Sequence, residues 1–310
     1  MIIDVYPEFG YELACSMPYA YWLHQQGKLE KVITCKGMKP FYYFCKDVEE
    51  KYTVRSIDNL NNGVQNLPNG WIHHNALEVF GKDYSLLTEE EKIKANGVLD
   101  YKKWNPPPLH EVYNDFNLEL PENFIIVSNA YNIEHGQQPI QYFDIESLYH
   151  IFNMLTSKGY NVIYKRPKNT EFAIDPNEWH GQNIKANVEG IGNITDFQLV
   201  NYYDNVMLFD DVISDIGGTY NEAQLKIFAQ AKGFVARGGG ASILCSYFKK
   251  PVIIYVCTSG DIRPGYFDEG TYFQKISDNN VHAIVDPIKT IKERGYRDYS
   301  KVYKKIDEIL

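Results

Sequence analysis

One stretch constrains the fold more than any other: Gly233-Phe-Val-Ala-Arg237-Gly238-Gly239-Gly240-Ala241-Ser242-Ile-Leu244, running on to Pro251-Val-Ile-Ile-Tyr255. An apolar strand delivers a turn of three glycines, a helix opens directly behind it, and a second apolar strand follows. Parallel strands need a crossover of this kind, so the run predicts a parallel α/β layer. The turn carries no side chains. Free backbone N–H groups meet the positive end of the helix dipole there, which makes it a cradle for an anion such as a diphosphate. The same glycines would equally permit a tight turn or close helix–sheet packing.

The rest of the chain repeats the rhythm. Ile2–Tyr6 reads as a strand, Pro7–Gly10 as a turn, Tyr11–Gln26 as a helix with Ser16 a candidate N-cap before Pro18, and Lys31–Cys35 as the next strand. Thr88 and Glu91 have the spacing of a capping box. Trp104-Asn-Pro-Pro-Pro108 forces an extended path, so residues 104–120 are expected to link an N-terminal α/β domain, 1–103, to a C-terminal one, 121–286, with helices over 287–310 broken near Gly295. In the second domain, strands are predicted at Phe124–Ser128, Asn161–Tyr164, Val206–Phe209 and His282–Val285 around the glycine unit. Two Rossmann-like domains facing across a cleft are the expected architecture.

Composition excludes several functions. The net charge of −9 across 310 residues argues against a nucleic-acid backbone as partner, since that needs a basic face. It leaves room for a small phosphorylated ligand held by a few local donors. Met1-Ile-Ile-Asp4 lacks the basic start of a signal peptide and no run of 18 apolar residues occurs, so a cytoplasmic protein without a transmembrane segment is expected. The five cysteines show no CxxC spacing, and Cys35, Cys245 and Cys257 lie in apolar segments, which predicts buried thiols. Neither a metal nor a resident cofactor is expected; Asp210-Asp211 has no third ligand at a telling spacing.

Ligands of open parallel sheets sit beyond the carboxyl ends of the strands. Lys165 and Arg166 fall at one such end, Asp210, Asp211 and Ser214 at another, Arg237 and Gly238–Gly240 at a third, and Ser259 at a fourth. Forked Arg donors and a Lys point charge beside a glycine turn suit a diphosphate.

The order Asn221-Glu222-Ala-Gln, then Ala231-Lys-Gly-Phe-Val-Ala-Arg237-Gly-Gly-Gly-Ala-Ser242-Ile-Leu244, then Pro251-Val-Ile-Ile resembles the C-terminal domain of GT-B-type glycosyltransferases, and Pro7-Glu8-Phe9-Gly10-Tyr11-Glu12-Leu13 resembles their first loop. The Gly-Gly-Gly-Ala-Ser form lacks the His that some members carry after the Ser. The resemblance implies sugar transfer from a nucleotide-diphosphate donor, GDP- or UDP-linked, to a hydroxyl of a carbohydrate acceptor, metal-independent and inverting. It implies a catalytic base in the first loop, with Glu8 the first candidate and His73 and His74 the next. Asp4, within the strand, is expected to be structural; Glu12, on the helix, is either a further base candidate or a dipole partner. Lys165, Arg166, Arg237 and the stretch Gly238, Gly239, Gly240, Ala241, Ser242 would hold the diphosphate. Asp211, Ser214 and Glu222 would face the nucleoside, and Tyr266, Asp268 and Glu269 the donor sugar. Two alternatives share this architecture: a nucleotide-sugar 2-epimerase type of enzyme and a non-catalytic nucleotide-sugar-binding module.

Overall fold

The computed structural model describes residues 1–55, 106–114, 118–134, 139–166, 178–179, 184–257 and 272–310, with Leu86, Thr88, Glu90 and Glu91. The first unit contains a parallel sheet in the order β1 (Ile2–Asp4), β2 (Lys31–Cys35), β3 (Val48–Tyr52). The second contains six parallel strands: β4 (Phe124–Ser128), β6 (Asn161–Lys165), β10 (Val206–Leu208), β11 (Gly233–Arg237), β12 (Val252–Val256) and β13 (Val281–Val285). Two small antiparallel pairs flank them, β5 (Ile133–Glu134) with β7 (Glu178–Trp179) and β8 (Lys185–Val188) with β9 (Gly192–Thr195).

The spatial order β10-β6-β4-β11-β12-β13 is the doubly wound Rossmann order. The chain starts at a central strand, winds outward through β6 and β10, then returns to the other side of β4 at β11. The reversal point lies between β4 and β11, beside the glycine turn.

Near-continuous apolar runs make these strands because both faces of the sheet are covered. Phe124, Ile126, Ile163, Phe234, Ala236 and Ile254 enter one buried cluster. Ile125, Val127, Val162, Tyr164, Val235 and Ile253 enter the other. Each such residue, fully buried, contributes roughly 1.5–3 kcal/mol, so the strands form a rigid base for the groups at their ends. The first cluster continues into the N-terminal unit through Ile3, Leu13, Val32 and Phe41.

Helices follow the apolar spacing. Ile145–Ser157 buries Ile145, Leu148, Ile151, Phe152 and Leu155, and Asp144 caps it by accepting from Ser147 N at 2.7 Å. Ile288–Arg294 ends at Gly295, whose φ of +82° closes the helix, and Ser300–Ile309 follows. The capping box of Thr88 and Glu91 is present in both directions, at 2.9 and 3.2 Å. Leu109–Val112 forms one helical turn directly after Pro106–Pro108, with Leu109 buried.

Two expectations are corrected. Ser16 makes no side-chain cap bond; the helix starts earlier, at Phe9, with Glu8 as its N-cap. The segment then runs through a π turn over Glu12–Ser16 into Met17–Gln25, and Pro18 sits in the first turn of that last piece. The wider π spacing lets one helix absorb the proline rather than be restarted by a cap. The strand predicted over Val206–Phe209 stops at Leu208, and Phe209 already opens a helix, Phe209–Ile216. Asp210 and Asp211 stand in its first turn, where the dipole favours acids.

All five cysteines are free thiols, and Cys35, Cys245 and Cys257 are buried as the sequence predicts. Among the described residues no helix is long and apolar enough to cross a membrane.

Candidate active site

The glycine turn is built by neighbouring strands and by its own residues. Gly238 N donates to Tyr255 O at 2.8 Å, fixing the turn to β12. Gly239 adopts φ +130°, and a Cβ on it would lie 2.9 Å from Arg237 Nη1, so this position demands glycine on two counts. Ser242 Oγ donates to Gly239 O at 2.8 Å and Ser242 N bonds the same carbonyl at 3.0 Å. Ser242 is therefore the clasp of the turn. Arg237 curls over the turn and donates from Nη1 to Gly238 O at 3.0 Å. Among the described residues none accepts from the N–H groups of Gly239, Gly240 or Ala241, which open the helix Gly240–Ser246.

Lys165, at the end of β6, supplies a cation on the same edge. It is 7% exposed, its ammonium lies 5.6 Å over the Phe209 ring, and among the described residues it has no hydrogen-bond or ion-pair partner. Burial brings its pKa down to about 8; Cys245 and Asp210 act against this and Arg237 acts with it. A cation held this way is poised for an incoming anion. Between it and β11 stands Ser128, the last residue of β4, aligned with Lys165 on one side and Ala236 on the other and 2% exposed. The sequence reading passed over Ser128. Its place at the end of the first strand of a doubly wound sheet was the signal that could have found it.

Arg166 is not brought to this place. Successive strand residues point to opposite faces, and Arg166 turns to the far side. There its Nε lies 2.6 Å from Asp196 Oδ2 and its guanidinium stacks over Phe197 at 4.1 Å and Tyr131 at 5.1 Å. Tyr164 OH donates to the same Asp196 oxygen at 2.7 Å. This buried group braces the sheet from behind.

The nucleoside candidates are spread along two helices. Asp211 and Ser214 are exposed, and Ser214 Oγ donates to Asp211 O at 2.6 Å within their own helix. Glu222 lies in the first turn of Tyr220–Gln230, paired with Lys226 at 3.2 Å. Its neighbour Asn221 is buried and donates from Nδ2 to Gly37 O at 2.6 Å, joining this helix to the N-terminal unit.

The first loop meets the glycine turn directly. A Cβ on Gly10 would lie 3.0 Å from Gly240 Cα and 3.0 Å from Ile243 Cδ1, and one on Gly240 would lie 3.0 Å from Gly10 N. Glu8 Oε2 is 3.1 Å from that same point on Gly10 and accepts from Tyr11 N at 2.9 Å. Its carboxylate is thus held at the junction of the two units. Burial, with the Glu8 charge behind it, pushes the nearby Cys15 thiol well above its ordinary range.

Behind the loop is a buried charged group. Glu12, fully buried, meets Arg55 Nη1 at 2.6 Å and accepts from Tyr42 OH at 3.1 Å and from Thr34 Oγ1. Arg55 also donates to Pro7 O at 2.8 Å and sits 5.4 Å over the Phe9 ring, tying the loop down from beneath. The sequence offered Glu12 as a base candidate or a dipole partner and gave no hint of Arg55. His73, His74, Ser259, Tyr266, Asp268 and Glu269 lie outside the described residues.

The doubly wound sheet thus carries a glycine turn at its reversal point and a buried cation, Lys165, on the same edge one strand beyond β4. No protein-family model matches the chain. No curated protein sequence matches it. Solved structures similar to it include three glycosyltransferases. The iron-containing dodecameric glycosyltransferase TibC from enterotoxigenic E. coli is 13% identical, with a TM-score of 0.40 over 85% of this chain and 62% of its own. ADP-heptose LPS heptosyltransferase II from E. coli is 9% identical, with a TM-score of 0.46 over 99% of this chain and 98% of its own. A glycosyl transferase of family 9 from Veillonella parvula is 11% identical, with a TM-score of 0.48 over 99% of this chain and 95% of its own. The chain spans less than two thirds of the length of TibC. These scores are low, and the chemistry of the site rests on its own residues.

Proposed function

We propose that this protein is a glycosyltransferase of GT-B type that moves a sugar from a nucleotide-diphosphate donor to a carbohydrate hydroxyl. The observation that carries the reading is that Lys165 and the open N–H groups of Gly239–Ala241 lie on the same edge of the sheet, on either side of Ser128, met from the other unit by the segment holding Glu8. In this reading residues 121–286 bind the donor, residues 1–103 the acceptor, and 104–120 join them.

The chemistry follows from charge. As the glycosidic bond to the diphosphate lengthens, negative charge grows on the leaving oxygens, and a dry cation with preset N–H dipoles stabilises it without reorganisation. Arg237 adds a second positive charge at the same turn. Glu8 takes the proton of the attacking hydroxyl, and its hydrogen bond from Tyr11 N holds it in place. Ser128 joins the donor-binding set, whereas Arg166 acts from behind by anchoring Asp196.

The test is thermal shift with ADP-, GDP-, UDP- and CMP-linked sugars, then turnover with the one that binds. A ligand at about 100 times its dissociation constant stabilises by roughly 2.7 kcal/mol. Glu8→Gln should keep donor binding and lose transfer. Conversion of the donor alone to an epimer would favour the 2-epimerase alternative, and binding without turnover the non-catalytic one.

A further inference from the structure

On the face of the six-stranded sheet away from Lys165, a cavity of about 610 Å³ opens between the first turn of Ile145–Ser157 and the loop joining the last two helices. That volume lies within the range of roughly 300–1,000 Å³ typical of small-molecule sites. Its polar groups fall into two sets.

The first set holds the fold. Asp144 caps its helix, Asp298 Oδ1 accepts from Ser300 N at 3.0 Å, and Tyr299 OH donates to Tyr142 O at 3.0 Å. Arg297 donates to Cys257 Sγ at 2.8 Å and lies 4.1 Å over the Tyr142 ring.

The second set is not hydrogen-bonded, although the Arg294 guanidinium, bonded to Asp286 at 2.8 Å, lies 4.6 Å over the Tyr296 ring. The side chains of Glu146, His150, Tyr296 and Tyr303 line the same cavity and, among the described residues, make no hydrogen bond. Tyr296 is 62% exposed, and the Tyr303 ring stands 5.6 Å from His150. Burial, then the carboxylates of Asp144, Glu146 and Asp298, push the Tyr303 phenol up, so it stays a neutral hydroxyl.

We propose that this cavity binds a neutral saccharide of one to three rings, stacked on Tyr296 and Tyr303 with its hydroxyls on Glu146 and His150. A sugar ring presents an apolar C–H face and a rim of hydroxyls, which matches aromatic faces edged by an unpaired acceptor and mixed donor–acceptor groups. A phosphate does not fit: among the described lining residues the one cation, Arg297, is engaged, and three carboxylates surround the space. An organic cation fits less well, because Asp144 and Asp298 are already bonded and Arg297 offsets the remaining charge. The inference stands apart from the reading of the glycine turn, since it uses none of the same residues.

The test is saturation-transfer NMR and calorimetry on the full chain with maltotriose, chitotriose and mannotriose. One of them should bind, and Tyr296→Ala and Glu146→Ala should each weaken it by about tenfold, the loss of roughly 1.4 kcal/mol. Both positions are exposed, so the variants should keep the parent melting temperature, and Lys165→Met should bind the sugar unchanged. Failure of all three sugars to bind, or binding untouched by both cavity variants, overturns the proposal. Tighter binding of spermidine than of any sugar would assign the cavity to a cation and overturn it too.

Discussion

Gly10 and Gly240 meet backbone to backbone across the two sheet units, so close that a Cβ on either would lie 3.0 Å from the other's main chain. One lies in the first helical turn, capped by Glu8, and the other opens the helix behind the glycine turn. Side chains at either position would hold the two apart. The contact is what brings a carboxylate from one unit to the anion cradle of the other.

Gly10→Ala and Gly240→Ala should therefore each destabilise the protein. Overpacking costs about 1–3 kcal/mol, while the entropic gain of Gly→Ala is about 0.4–1 kcal/mol, so the loss wins. Because both changes crowd the same contact, and the first already forces the two segments apart, the double variant should cost less than the sum of the two. Urea denaturation of the four proteins measures this; strict additivity would show that the contact is not shared.

Lys165 gives a pH signature. Its pKa of about 8 when folded lies below the ordinary value of 10.5, so between these values the unfolded chain binds more protons. Stability then rises with pH across that window and is lowest below about pH 8, where the buried charge is fully present. The groups facing it are Asp210, Arg237, Cys245 and the Phe209 ring. Lys165→Met should flatten the rise. A wild-type curve without it above pH 8 would contradict the burial of an uncompensated ammonium.

The Arg55–Glu12 pair sets the first loop. Removing one partner of a buried ion pair costs about 3–5 kcal/mol because the other is stranded. Arg55→Met should show a loss of that size in chemical denaturation and should weaken donor-dependent turnover through the loosened Pro7–Gly10 loop. Arg55→Met combined with Glu12→Leu should recover part of the stability. Losses that simply add in the double variant would mean the two charges do not act as a pair.

Neighbours in sequence should behave as opposites in function. Arg166→Met should lower stability by breaking the bond to Asp196, yet leave nucleotide affinity near the parent value, whereas Lys165→Met should do the reverse. Calorimetric titration alongside melting curves separates them. Similar affinity losses in both would place Arg166 at the ligand after all.

The contrast between these two residues marks where sequence reading stops. Apolar runs such as Phe124–Val127 and Val252–Val256 announced the parallel sheet because burial on both faces leaves only one composition. The glycine turn was legible for the same kind of reason: few other structures need three glycines between a strand and a helix. Which way Lys165 and Arg166 point depends on the phase of the strand at its last residue, a matter of register set by β4 and β10 and not by the local sequence. Arg55 was invisible for a longer-range reason. Its partner Glu12 is 43 residues away, and only the fold brings an acid in a π turn to a base beyond β3. The helix that starts at Phe209 was not legible because acids such as Asp210 and Asp211 suit a strand exit as well as the first turn of a helix. Thr88 with Glu91 was readable because a capping box is closed within four residues.

The most direct test of the account is calorimetric titration of ADP, GDP, UDP and CDP into the wild type and into Lys165→Met at neutral pH. The account predicts that at least one diphosphate binds the wild type and that the substitution weakens it by roughly 10- to 150-fold, the value of one hydrogen bond to a charged group. Binding that Lys165→Met leaves unchanged, or no binding of any diphosphate to the wild type, would contradict it.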